Sequence, residues 1–187
     1  MAAPVESLHM PDRAHLTALW DEGNTLMIDS LYSARSNQFA AQRWATVATW
    51  LGLPTSILSA ILAAGAAGTA INGSNGWTVV LTVTVAVLNA IRSFLHPEQT
   101  LRGYQNKGAG YLALRNDARL FRDVDLRSSK SIEDLMSQLH NLAARRKALN
   151  GQPPLVIPKW AFKGAQKSIA AGESDYRKDS LWEEAPF

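Results

Sequence analysis

Four polar residues, Thr78, Thr82, Asn89 and Arg92, stand in a largely apolar run near the middle of the chain. At helical spacing they fall roughly along one side, which His96 continues beyond the run. An amide and a guanidinium are costly in hydrocarbon unless they face protein or water. The chemistry that this pattern predicts is therefore a pore-lining wall along a water-filled path in an oligomer.

The same side chains allow a second interpretation that needs no path. Threonine hydroxyls can bond the carbonyl four residues earlier, and Asn89 can bond a neighbouring helix. Arg92 then only sets the orientation of the span, since its long side chain can reach the nearby interface. The spacing alone leaves both interpretations open.

Residues that could carry out catalysis do not cluster. The four histidines, at positions 9, 15, 96 and 140, form no i, i+4 pair, and the chain has no cysteine to complete a metal site or a disulfide. No glycine-rich loop follows a strand, and no serine occupies a nucleophile elbow. We therefore expect no enzyme activity, metal or cofactor. The net charge of +3, without interleaved basic and aromatic residues, also predicts no nucleic-acid partner.

Two membrane spans are the elements that would position the polar side. The 48 residues 44–91 contain no Asp, Glu, Lys, Arg or His, and as a helix they would reach about 72 Å, more than twice a hydrocarbon core of about 30 Å. The turn cluster NGSNG divides the stretch, which predicts spans at about 52–71 and 77–95 with an outer turn at 72–76.

The second span has a competing interpretation, because TVVLTVTVAV is rich in β-branched residues and would pass for a strand in a soluble protein. An isolated pair of strands cannot cross a bilayer with its edges unpaired, whereas a helix satisfies its own backbone. The helix is therefore favoured.

Charge and aromatic residues predict how the hairpin lies in the membrane. Three basic residues precede it, sixteen follow from Arg92 onward, and the turn holds none, so both termini are expected to be cytoplasmic. Arg43, Trp50 and Trp77 are the expected interfacial anchors.

The first span carries small residues every four positions, at Ser56, Ala60, Ala64 and Gly68. Such spacing lets helix backbones approach closely, which predicts a face for helix packing or oligomer contact. The alternative is that alanine simply fills a weakly hydrophobic span.

The flanking segments predict helices on one side of the membrane. Residues 1–43 form an amphipathic helix with Leu16, Trp20, Met27 and Leu31 on one face, and residues 96–172 form further helices. The first of these is expected to continue the second span, and one face of it carries Leu101, Tyr104, Tyr111, Leu114, Ala118 and Phe121. Ser131 and Asp134 form a capping box for the next helix. Residues 173–187 are expected to be a flexible acidic tail.

The last predicted helix carries a basic edge. Lys159, Lys163 and Lys167, with Trp160, could lie on the anionic inner leaflet. A docking helix with a solvated basic edge is an equally good interpretation. Together these elements predict an all-α membrane protein, a two-transmembrane-helix hairpin with helices on the cytoplasmic side, assembled as a homo-oligomeric helical bundle.

The order of elements resembles the SLATT family, two-transmembrane effector domains associated with SMODS and SLOG proteins. The resemblance covers roughly residues 12–170 and is carried by RWATVATWLGLPTSILSAILA, by VAVLNAIRSFLHPEQTLRGYQNKGAGYLALRNDARL and by KWAFKGAQKSI. It implies a pore-forming effector of a prokaryotic antiviral defence system, located in the inner membrane. It also implies a nucleotide-producing or sensor protein from the same locus as the partner. The residues themselves leave a second class open, a membrane-anchored interaction module without channel activity.

Overall fold

The fold consists of helices joined by short connections. The computed structural model describes residues 10–69, 76–152 and 155–172. The helices are α1 (Met10–Thr69), α2 (Gly76–Leu95), α3 (Pro97–Asp123), α4 (Ile132–Gly151) and α5 (Lys159–Ala170), with a short 3-10 turn at Asp125–Arg127. Helix accounts for 91% of the part of the chain that the structure describes, and no strand occurs in that part. The strand interpretation of the second span is therefore excluded.

Helix α1 is a single helix of 60 residues, although the sequence predicts an amphipathic helix followed by a separate span. Pro54 lies inside it and has no N–H for the carbonyl of Trp50. The backbone is helical on both sides of Pro54, so the helix continues through it. Thr55 and Ser56 donate their hydroxyl protons to the carbonyls four residues back, at 2.6 and 2.9 Å.

One compact unit comprises Met1–Phe39 and Gln105–Phe187, and its described residues enclose a hydrophobic core. We call it the helical unit. The predicted face of α1 and the predicted face of α3 from Tyr111 onward are buried there, together with Leu135 and Leu142 of α4. The core residues are Leu16, Leu19, Trp20, Leu26, Met27, Leu114, Ala118, Phe121, Leu126, Leu135 and Leu142. Apolar burial of this kind is the main stabilising contribution in a helical bundle.

Helix α4 begins as the sequence predicts. Ser131 is the N-cap, with its hydroxyl oxygen accepting from the Asp134 N–H at 3.2 Å and its proton directed to the Asp134 carboxylate at 2.7 Å. The N-cap is therefore confirmed, but the Asp134 carboxylate accepts from the Ser131 hydroxyl and not, as in a capping box, from the Ser131 N–H.

The second compact unit is residues 40–104, here called the hairpin unit. It contains the second half of α1, all of α2 and the first turns of α3. The described chain has two helices long and apolar enough to cross a membrane, one including the apolar half of α1 and one including α2. Helix α2 has no buried residue, which is unlike the core helix of a soluble protein.

The helix that follows the second span does not continue it without interruption. His96 has a φ of +43° and separates α2 from α3. The next residue is Pro97, which disfavours α-helical backbone at the residue before it. The His96 N–H still donates to the Arg92 carbonyl at 3.1 Å, and its own carbonyl accepts from the Thr100 N–H at 3.0 Å. The prediction of one continuous helix through this point is therefore wrong.

Candidate functional site in the hairpin unit

Each long helix of the hairpin unit has one shielded face. On α2 the partly buried residues are Thr78, Leu81, Val85, Leu88 and Arg92, at alternating steps of three and four. On α1 they include Leu51, Thr55, Leu58 and Leu62, with the same alternation. This spacing marks one side of a helix, and the two helices belong to one compact unit. The shielded faces are therefore where they pack.

The four predicted pore-lining residues divide between two positions on α2. Thr78 and Arg92 belong to the shielded face, whereas Thr82 and Asn89 are exposed beside it. The predicted polar side thus lies along the edge of the surface with which α2 packs against α1.

The hydrogen bonds distinguish Thr82 from Asn89. Thr82 donates its hydroxyl proton to the Thr78 carbonyl at 2.7 Å, as the second interpretation of the sequence requires. The Asn89 amide side chain makes no hydrogen bond to any residue that the structure describes. Its hydrogen-bonding groups are therefore available to water or to another molecule.

Arg92 forms an ion pair with Glu98 across the break between α2 and α3. Both side chains are more than one-third exposed, at 39% and 56%, so the pair contributes little to stability. The pair nevertheless joins the last turn of α2 to the first turn of α3 through one NH2 group of the guanidinium.

An open groove of about 660 Å³ surrounds this ion pair. Its lining comes from the end of α2, the break and the start of α3: Asn89, Arg92, Ser93, His96, Pro97, Glu98, Gln99 and Arg102. The His96 Nδ1 lies 3.2 Å from the Phe94 carbonyl oxygen. Since a carbonyl can only accept, Nδ1 is the donor in this contact in any form of the ring that carries a proton there.

The small-residue face of α1 is directed away from the shielded face. Ser56, Ala60 and Ala64 are exposed, whereas Thr55 is 5% exposed. Gly68 also belongs to α1, but its surroundings lie outside the described residues. Packing within one chain therefore does not use Ser56, Ala60 or Ala64.

The predicted interfacial anchors are all on the surface. Trp50 and Trp77 are 74% and 69% exposed, and Arg43 is exposed. Trp50 and Pro54 also line an apolar groove of about 570 Å³ on α1. The predicted outer turn at residues 72–76 lies outside the described residues except for Gly76, the first residue of α2.

In the helical unit, α5 presents its predicted basic edge outward. Lys159, Trp160, Lys163 and Lys167 are exposed, and the opposite face buries Ala161, Ala165, Ser168 and Ile169. Helix α5 is thus docked on the unit by one face while the basic edge faces solvent. This arrangement fits both interpretations of the edge. The predicted acidic tail at 173–187 lies outside the described residues.

A second polar groove, of about 340 Å³, lies in the helical unit and includes Asp29, Tyr32, Ser36, Arg146 and Gln166. Arg146 donates to the Asp29 carboxylate at 2.6 Å. Burial raises the pKa of the nearby Tyr111 phenol, although the Arg146 guanidinium acts in the opposite direction. The Arg146–Asp29 ion pair therefore links α4 to α1.

Sequence reasoning missed Glu98, Gln99 and Arg102 as members of a site. The residue pair His96-Pro97 was the available signal, because a residue before proline disfavours helix and a break brings the flanking turns together. Among the described residues no group of three or more His, Cys, Asp or Glu side chains could hold a metal ion.

Comparisons with protein-family models, with curated proteins and with solved structures find no match to this chain.

Proposed function

We propose that the protein is a pore-forming membrane effector of a prokaryotic defence system, and that it oligomerises to permeabilise the inner membrane. In this proposal both termini are cytoplasmic and the bilayer surrounds the hairpin unit. Several copies contribute α2 to a common wall, because two helices cannot enclose a channel alone.

The observation that carries the proposal is the position of Asn89. Its amide is exposed on α2, two residues from the exposed Val87, and has no side-chain hydrogen bond among the residues described. At a rise of about 1.5 Å per residue, Asn89 lies about 9 Å from the Leu95 end of α2. An unbonded amide at that depth is costly in lipid. A ring of copies with Asn89 directed inward removes this cost by giving it water.

The outward small residues support the same assembly. Ser56, Ala60 and Ala64 are not used by packing within one chain. Small side chains permit close contact between helices in lipid, so this face can meet a neighbouring copy. The apolar side chains elsewhere on α2, including Val80 and Val83, then remain for lipid.

The trigger and the biological setting come from the resemblance to the SLATT family. A nucleotide-linked or other sensor from the same locus would act on the helical unit, and the resulting permeabilisation would arrest the infected cell. The defence role has no support from geometry and depends on that resemblance.

The test is membrane potential and dye uptake in bacteria that express the wild type or Asn89→Leu at matched membrane levels. The wild type should depolarise the cells and Asn89→Leu should not. Val87→Leu is the matched control, because it changes an exposed apolar residue two positions away, on nearly the opposite side of α2. Equal depolarisation by Asn89→Leu and the wild type would remove Asn89 from the pore wall.

The alternative function is a membrane-anchored interaction module, and the separate core of the helical unit favours it. Such a module would not depolarise cells under any condition. It would also retain binding to a locus-encoded partner after the hairpin is replaced by an unrelated one. Loss of binding on that exchange would count against the module.

A further inference from the structure

We propose that the groove at the break between α2 and α3 is a phosphate-binding site. It takes a phosphate carried by a phospholipid headgroup or free in solution. The proposal deepens the pore proposal, since the groove lies at the end of the proposed pore helix α2, and it depends on that proposal for the position of the bilayer.

The charge of the groove favours an anion. Arg92 and Arg102 contribute two guanidinium groups, and Glu98 is the single acidic residue in the lining. Arg92 is paired with Glu98, whereas Arg102 is exposed and forms no ion pair with the residues described. One guanidinium in the groove is thus without a counter-charge.

The remaining donors suit a phosphate group. Guanidinium groups bind phosphate oxygens through paired N–H donors. The Ser93 hydroxyl, two residues before the end of α2, adds a neutral donor. A phosphate has enough acceptor oxygens to use guanidinium and hydroxyl donors together, which a chloride ion cannot do with the same geometry.

The position of the groove along α2 brings it to the depth of the lipid headgroups. Helix α2 has 20 residues, and at about 1.5 Å per residue it matches a hydrocarbon core of about 30 Å. Its Leu95 end then meets the headgroup layer, with Arg92 about 4.5 Å inside and able to extend outward. The break and the first turn of α3 fall where lipid phosphates lie.

The ion pair provides a built-in competitor for the bound phosphate. Glu98 occupies part of the donor capacity of Arg92, so a phosphate must share Arg92 with the carboxylate or displace it. Removing the Glu98 charge should therefore strengthen phosphate binding. Damage to the fold cannot account for stronger phosphate binding in a variant that lacks the Glu98 charge.

The experiment is native mass spectrometry of the full chain in detergent, titrated with phosphatidylglycerol or with diacylglycerol of the same acyl chains. The wild type should retain phosphatidylglycerol in preference to diacylglycerol. Arg102→Gln should lower that retention by about fivefold, the effect of one basic residue near a membrane surface, and Glu98→Gln should raise it. Arg127→Gln is the matched control, because Arg127 is exposed and lies outside the groove.

Inorganic phosphate at millimolar concentration distinguishes the two sources. Displacement of phosphatidylglycerol would mean that the groove also accepts free phosphate, and no displacement would identify the lipid headgroup as the source. Equal retention of the two lipids would overturn the proposal, as would equal effects of Arg102→Gln and Arg127→Gln. Lipid retention does not require conduction. A negative depolarisation test with normal lipid preference would therefore refute the pore alone.

Discussion

Replacing Gly23 by alanine should destabilise the helical unit, although alanine is the better helix former. Gly23 lies within α1, and a Cβ there would be 3.1 and 3.2 Å from Cδ1 and Cε1 of Phe121. Phe121 is 2% exposed and belongs to the core, so its ring has little room to move.

Two opposing contributions determine the size of the effect. Glycine to alanine inside a helix gains about 0.5–1 kcal/mol. Adding a methyl group to a packed core costs typically about 1–3 kcal/mol. We expect the packing cost to dominate at Gly23, with a net loss of about 1 kcal/mol. Gly164 is the control, since its added Cβ would lie 3.4–3.5 Å from the partly exposed Phe39 ring. Gly164→Ala should therefore gain stability.

The assay is denaturant unfolding of the full chain in detergent, followed by circular dichroism, with the two variants and the wild type compared. Hydrogen exchange of the α3 segment around Phe121 would locate the effect. If Gly23→Ala were as stabilising as Gly164→Ala, the Phe121 contact would not be as tight as described. The argument for a rigid core at this point would then fail.

Two further predictions concern the helical unit. Ser131→Ala should lower the free energy of unfolding by about 1 kcal/mol through loss of the α4 cap. Ser131→Gly should lower it by only a few tenths of a kcal/mol. Equal stability of Ser131→Ala and the wild type in the same unfolding assay would contradict the role of the cap. Burial raises the pKa of the Tyr111 phenol above its ordinary value of about 10, so the folded state holds this proton at higher pH than the unfolded state. The contribution of the protonated Tyr111 phenol to the free energy of unfolding is complete below about pH 10, and it is lost as the pH rises through the folded-state pKa. Ultraviolet titration of tyrosinate in the wild type and Tyr111→Phe should reveal the late titration, and a Tyr111 pKa at the ordinary value would refute it.

Much of the helical architecture follows from local patterns. Apolar residues at helical steps, such as Trp20 and Phe121, correctly predicted the buried faces of α1 and α3. The Ser131 cap depends on residues three positions apart, and it formed as predicted. These features are predictable because they depend on contacts or periodicities within single helices.

Other features depend on information that periodicity does not contain. The pattern gave no sign that α1 continues through Pro54. The break at His96 was indicated by Pro97, but its consequence, a groove that also includes Arg102, requires the path of the backbone in three dimensions. Helical spacing placed Thr82 and Arg92 on one side of α2. Only the packing of α2 shows that Thr82 is exposed and that Arg92 is partly buried.

The hydroxyl bonds within the long helices have a consequence for assembly. Thr82, Thr84 and Ser56 each give their single hydroxyl proton to their own helix, so toward a neighbouring molecule they offer only oxygen lone pairs. Asn89 differs, because its amide carries a donor and an acceptor on one side chain. In a closed ring of identical copies, each Asn89 can therefore donate to the next copy and accept from the previous one. Such a ring links every amide to two neighbours and leaves its remaining N–H and lone pair to the water of the pore, while an open chain of copies leaves the amide at each end with a single neighbour.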